Sequence, residues 1–268
     1  MSRSLVIALS CLLQLCLSGN ANAERDPSVV ALFGDSTTVG FNTNFDERFG
    51  DAQLNFGQPS IQLTQILNSS DRPSVVPNLG IGGSSSGPAT AFTGFAGEGN
   101  GVDRISEDLS DVITNNPGRD YYVLILYGTN DPARGIPSSV TGFNNGIMVQ
   151  RANALGYTAL VSSILPCDVC PNNVATINNA IINEVNSRIA GGADARFVNI
   201  HDAVRADWIS LYVENDGIHP NNAGYAAIAQ NWFDLQLREL ITPESVLDAV
   251  NSNTPNISSI ISLLLLED

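Results

Sequence analysis

The chain has 268 residues, 43% of them hydrophobic, with 23 Gly and 13 Pro, which suits one globular domain with a sizeable core. Its formal net charge is −15 and all 12 basic residues are Arg. That balance argues against nucleic acid and anionic membrane surfaces as partners, because both are polyanions held through basic patches. A Lys-free acidic surface suits a salty or alkaline medium, where carboxylates hold water and Arg stays charged; genome composition explains it equally well.

The first residues carry Arg3, then a nearly unbroken apolar run from Leu5 to Leu17, then small and polar residues closing on Ala21-Asn22-Ala23. This pattern predicts a cleavable signal peptide over residues 1–23, cut after Ala23, and a secreted or periplasmic protein. The run is shorter than the about 18 apolar residues a membrane span needs, so no stable membrane insertion is expected. A lipid anchor on Cys11 or Cys16 lacks the Leu-small-small triplet before the cysteine. Cleavage leaves Cys167 and Cys170, in Pro166-Cys167-Asp168-Val169-Cys170-Pro171. In an oxidising compartment the pair is expected to form a local disulfide; the motif alone also fits a redox pair. A zinc site would want four ligands, and only two histidines, His201 and His219, stand beside the two cysteines.

The body, residues 24–242, alternates short apolar runs with longer amphipathic stretches. The runs Val29 to Phe33, Ser74 to Leu79, Tyr121 to Tyr127, Thr158 to Ile164 and Arg196 to Ile200 read as five strands. Helical periodicity fills Ser60 to Leu67, Val102 to Thr114, Ser138 to Leu155, Asn173 to Ile189 and Asn221 to Leu240. In the last, Ala223, Tyr225, Ile228, Trp232, Phe233 and Leu235 suggest a broad apolar face, with the aromatics as core. Strands alternating with helices imply an α/β fold with a parallel sheet covered on both faces. Gly40 to Gln58 and Gly82 to Gly101 read as long loops, the kind that builds binding surfaces in α/β enzymes. The tail, residues 243–268, is expected to pack on the domain.

The first strand runs into Gly34-Asp35-Ser36, which puts a hydroxyl where open α/β sheets keep their ligand crevice. A serine nucleophile needs a base. His219 lies in Asp216-Gly217-Ile218-His219-Pro220, between the last strand and the last helix, and an Asp three residues before a His on a turn can fix its tautomer. His201, beside Asp202, reads as a hydrogen-bonded structural histidine. Two loops after strands offer oxyanion donors: the N–H of a Gly in Asn78-Leu79-Gly80-Ile81-Gly82-Gly83, and the Asn130 amide in Gly128-Thr129-Asn130-Asp131.

These four segments, in this order over residues 34–220, resemble the SGNH hydrolase (GDSL-type esterase/lipase) family, with Ser36, Gly83, Asn130 and His219 at the eponymous positions. Thr37 stands where Gly-Asp-Ser-Leu has Leu. The resemblance implies a three-layer α/β/α flavodoxin-like fold around a five-stranded parallel sheet. It implies a triad of Ser36, Asp216 and His219, an oxyanion hole from Ser36 N–H, Gly83 N–H and Asn130, and no metal or cofactor. Against it stands Gly83-Ser84-Ser85-Ser86-Gly87, which matches the Gly-x-Ser-x-Gly elbow of another hydrolase class and would make Ser85 the nucleophile. That reading leaves Gly34-Asp35-Ser36 and Asn130 without roles.

The expected activity is ester hydrolysis through an acyl-enzyme on Ser36, with a small-molecule or glycan ester as substrate. Polar, Asn-rich loops favour small acyl groups such as acetyl. Phe41, Phe45, Phe49, Phe56, Phe92 and Phe95 instead suit a lipid-acyl groove of a lysophospholipase or thioesterase. Acyl transfer to sugar hydroxyls, or glycan binding without hydrolysis, remain alternatives.

Overall fold

The apolar runs become the five strands of one all-parallel sheet: β1 (Ser28–Gly34), β2 (Ser74–Val75), β3 (Tyr121–Leu126), β4 (Tyr157–Ser162) and β5 (Ala195–Val198), in the order β2-β1-β3-β4-β5. The computed structural model describes residues 27–41, 58–88, 99–167, 170, 174–213 and 216–246. The expected signal peptide, most of the tail, and Phe45, Phe49, Phe56, Phe92 and Phe95 lie outside these residues.

Continuous apolar strands require cover on both faces, and the side chains sort by the two-residue period of the strand. Val29, Ala31, Phe33, Val123, Ile125, Ala159 and Val161 face one core. It is closed by helices α3 (Gly101–Asn115), α4 (Ser138–Ala154) and α5 (Val174–Ala190), through Ile105, Leu109, Met148, Val149, Ile177 and Ile181. Val30, Leu32, Leu124, Leu126 and Leu160 face the other core, against α2 (Pro59–Ser69) and the carboxyl-terminal helices. The result is the three-layer α/β/α arrangement expected from the sequence. Residues Pro27–Ile241 form one compact unit. Beyond it, residues 244–246 are helical. Among the described residues, no helix is long and apolar enough to cross a membrane.

Several boundaries differ from the sequence reading. The second run pairs regularly only over Ser74–Val75, because Pro77 has no N–H to donate. The chain rejoins β1 beyond it, where Leu32 N donates to Pro77 O and Leu79 N to Leu32 O, both within 2.9 Å. Ile200, read as the end of a strand, instead opens helix α6 (Ile200–Arg205), whose N-cap Asn199 accepts from Asp202 N. Two further short helices, α1 (Ser36–Val39) and α7 (Trp208–Leu211), were not visible in the periodicity. The last helix is not uniform: α8 (Asn222–Trp232) passes through a π-helical turn, Phe233–Leu237, into Arg238–Leu240. The wider turn accompanies burial of Trp232, Phe233 and Leu237 together, while Leu235, expected inside, is exposed.

The strand order places a topological switch between β1 and β3. From β1 the chain leaves through α2 to one edge of the sheet; from β3 it proceeds through α4 toward the other. The crevice outside the carboxyl ends of these two strands is where such sheets bind ligands.

One buried polar contact fastens the carboxyl-terminal layer to the sheet: Trp232 Nε1 donates to Ser162 Oγ at 2.9 Å. Ser162→Ala strands that indole N–H, and the expected cost is about 1–3 kcal/mol in urea unfolding.

Candidate active site

The end of β1 turns within two residues into α1. Asp35 caps the turn, its carboxylate accepting from Thr37 N at 3.0 Å, and Ser36 is the first helical residue. Ser36 is half-buried while Asp35, Thr37 and Thr38 around it are buried. Asn78 links this turn to the next loop: its Nδ2 donates to Thr38 O at 2.8 Å and its Oδ1 accepts from Gly80 N at 3.0 Å. Gly80 lies against α1 so closely that a Cβ there would stand 2.5 Å from Val39 N.

His219 reaches Ser36 from the far end of the chain. Its Nε2 is 2.8 Å from Ser36 Oγ, and its Nδ1 is 3.0 and 3.1 Å from the two Asp216 oxygens. Asp216 Oδ1 also accepts from the backbone N–H of His219 at 2.6 Å and of Ile218 at 2.9 Å. Partial burial pushes the Asp216 carboxyl up, but these donors and the imidazole together outweigh it and hold the group below the usual carboxylate range. A carboxylate on Nδ1 leaves Nε2 free to take a proton, so the array is chemically competent to deprotonate Ser36.

Phe41 completes the wall beside the imidazole, its ring centroid 4.6 Å from that of His219. Its backbone is fixed from both sides: Phe41 N donates to Ser36 O at 3.1 Å, and Tyr225 Oη donates to Phe41 O at 3.0 Å. The sequence reading took Tyr225 as core only and Phe41 as one groove residue among several; five residues from Ser36 was the signal that Phe41 stays near the site.

The loops carrying Gly83 and Asn130 meet. Gly83 has φ +70°, a left-handed conformation that strains any residue with a side chain. Asn130 Nδ2 donates to Ser84 O at 2.9 Å. An amide nitrogen carries two hydrogens, so this bond orients the group while one donor remains. Asp131, fully buried, accepts from Ser86 N at 2.8 Å, Ser86 Oγ at 2.5 Å and Thr141 Oγ1 at 2.6 Å. Arg134, itself buried, donates through Nη2 to Gly83 O. Arg134 was missed in the sequence, although four residues after Asn130 is the spacing of one helical turn.

Ser85 stands elsewhere. It is buried and its Oγ donates to Gly87 O at 2.8 Å, which makes the Gly-x-Ser-x-Gly match a structural turn. His201 sits against its neighbour Asp202, Nδ1 to Oδ1 at 3.0 Å, and its backbone N–H donates to Ser163 Oγ at 2.8 Å. Cys167 and Cys170 form a disulfide with Cα atoms 5.3 Å apart. A shallow cleft of about 570 Å³ lined by Gln150, Asn153, Glu184, Ser187 and Arg188 lies toward the other end of the sheet, at the carboxyl ends of α4 and α5.

A three-layer α/β/α fold with this Ser-His-Asp array at its switch point defines the class of SGNH-type hydrolases. Residues 32–227 match the GDSL-like lipase/acylhydrolase family, and the chain belongs to that family. Similar solved structures include the lipase/acylhydrolase from Enterococcus faecalis, at TM-score 0.60 and 15% identity over 81% of this chain and 98% of that one. A carbohydrate acetylesterase from Sinorhizobium meliloti superposes at TM-score 0.59 and 14% identity, covering 80% and 100%. A family 3 carbohydrate esterase from Clostridium thermocellum does so at TM-score 0.58 and 15% identity, covering 81% and 100%. Among curated protein sequences none matches the chain.

Asp35 contrasts with Asp216. Burial raises its carboxyl to about 7, with Asp131 adding to the rise, against the N–H of Thr37 and the hydroxyls of Thr37 and Thr129. A carboxyl that holds its proton more tightly folded than unfolded contributes stability that is full below pH about 4 and lost as pH climbs through about 7. Urea midpoints of the wild type are expected to fall across that window, and Asp35→Asn to remove this part of the slope.

Proposed function

We propose that the chain is an exported serine esterase in which Ser36 is the nucleophile, His219 the general base and Asp216 its orienting carboxylate. The observation that carries this reading is the continuous relay from Ser36 Oγ through His219 to Asp216. His219 Nε2 takes the Ser36 proton as Oγ bonds to the ester carbonyl carbon, and the carbonyl oxygen becomes an oxyanion. Ser36 N–H, Gly83 N–H and the remaining hydrogen of Asn130 Nδ2 are its donors. Collapse of the intermediate breaks the bond to the alcohol, which leaves with the proton from His219. Water then attacks the acyl-enzyme, giving its proton to His219, and Ser36 recovers a proton as the carboxylic acid departs. The residues themselves supply every group this sequence needs, so no cofactor enters the reading.

The substrate class we favour is small acyl groups, acetyl above all, on a carbohydrate or small-molecule alcohol. The similarity to a carbohydrate acetylesterase and a carbohydrate esterase supports it at the level of shared fold. Phe41 beside His219 favours a second reading, in which an apolar wall takes a longer acyl chain. Export over residues 1–23 with cleavage after Ala23 belongs to the same proposal, and the Cys167–Cys170 disulfide supports it, since such bonds persist in oxidising compartments.

Hydrolysis of p-nitrophenyl acetate, butyrate, octanoate and palmitate tests these readings together. Ser36→Ala is expected to abolish turnover without lowering the melting temperature, and Ser85→Ala to retain it. Rates highest on acetate select the small-acyl reading, and rates rising toward octanoate select the apolar wall. Turnover surviving in Ser36→Ala would overturn the nucleophile. Intact-mass measurement of the exported protein is expected to show Glu24 as its first residue, and a retained Leu5 to Leu17 run would overturn the cleavage.

A further inference from the structure

Ser36 and Asp216 hold the imidazole of His219 at its two nitrogens. Hydrogen bonds at two points tolerate some rocking of the ring between them, since they weaken steeply only when bent below about 120°. A second ring packed beside the first restricts that rocking. Phe41 is so placed, its centroid 4.6 Å from that of His219 and the two planes 48° apart. Where Phe41 stands therefore bears on how squarely Nε2 faces Ser36 Oγ.

Phe41 follows a helix of one turn. α1 has four residues, and its C-cap Gly40 is left-handed at φ +92°, so close to the start of α2 that a Cβ would stand 3.1 Å from Gln58 Cγ. A single turn is marginal on its own, and what lies past it gains from an anchor elsewhere in the fold. Tyr225, in α8, supplies one across 184 positions: its Oη donates to Phe41 O at 3.0 Å. Tyr225 is fully buried. A phenylalanine would fill the same space with no hydroxyl to desolvate, and a phenol has one hydrogen to give. That hydrogen is directed at the residue flanking the general base. Burial, with Asp35 and Asp216 adding to it, pushes the phenol well above its usual range, so it stays a donor into alkaline conditions.

We infer that Tyr225 is a positioning residue for His219, acting through Phe41: its hydroxyl sets where the Phe41 ring stands, and that ring keeps the imidazole in line with Ser36 Oγ. The inference rests on the esterase reading above. Alignment of the base governs proton transfer rather than capture of the neutral ester, so loosening it lowers kcat and leaves KM nearly unchanged. The loss is partial, because Phe41 N still donates to Ser36 O at 3.1 Å.

The test is steady-state kinetics on p-nitrophenyl acetate for wild type, Tyr225→Phe, Phe41→Ala and the double variant, beside mass-mapped labelling with a fluorophosphonate. Tyr157→Phe is the control, since it deletes a buried phenol that donates to Leu109 O at 3.1 Å in the core on the opposite face of the sheet. Both hydroxyl deletions are expected to lower the melting temperature. Only Tyr225→Phe is expected to lose kcat, by about threefold to tenfold, with KM within about twofold. The double variant is expected to match Phe41→Ala alone within about twofold, because one effect runs through the other. A kcat in Tyr225→Phe equal to that of Tyr157→Phe, or losses that multiply in the double variant, overturns the inference. If Tyr225→Phe does not fold, Phe41→Ala carries the test: a loss of about threefold or more in kcat supports it, and wild-type kcat overturns it. Failure of the wild type to label at Ser36 would instead sink the esterase reading.

Discussion

The hydrogen bond between Ser36 Oγ and His219 Nε2 joins residues 183 positions apart, and nearly every feature of the fold serves to close that separation. Ser36 is delivered by the first strand, and His219 by the segment after the last strand. Neither can be placed by local structure. They meet because five parallel strands end at one rim and because β1 sits inside the sheet, flanked by β2 and β3, so that its turn faces the crevice. A parallel sheet can take this form only when both of its faces are covered, which ties the meeting of two side chains to the two separate hydrophobic cores.

Around that contact the protein uses carboxylates in opposite ways. Asp216 is partly exposed and surrounded by N–H donors, so it stays charged and can hold an imidazolium. Asp35, one residue before Ser36, is sealed from water, and burial outweighs the single backbone donor it receives. The same functional group thus gives a fixed charge in one place and a near-neutral helix cap in the other, with solvent access making the difference.

Much of this was legible in the sequence, for physical reasons. Strands buried on both faces must be apolar at every position, so Val29 to Phe33 and Tyr121 to Tyr127 announced themselves. The four segments around Ser36, Gly83, Asn130 and His219 were visible because close approaches demand Gly and short polar residues at fixed offsets. What escaped had no periodic signature. The four-residue helix α1 is too short for an amphipathic pattern, the π-helical turn shifts the register of a helix that looks regular, and Pro77 interrupts an edge strand whose composition is otherwise that of a strand. Arg134 escaped because a lone Arg in a turn reads as solvated, and only the fold reveals a carbonyl waiting for it.

Tyr225 ties these parts into a loop of contacts. Helix α8 is capped by Asn221, whose side chain accepts from Gly224 N at 3.0 Å, directly after the His219 segment. Four residues on, Tyr225 grasps Phe41, Phe41 grasps Ser36, and Ser36 returns to His219. A chain of contacts that closes on itself behaves as a braced frame does: opening one joint leaves every member still connected the other way round. The imidazole and the aromatic wall beside it are therefore referenced to the same helix start, each through its own set of contacts.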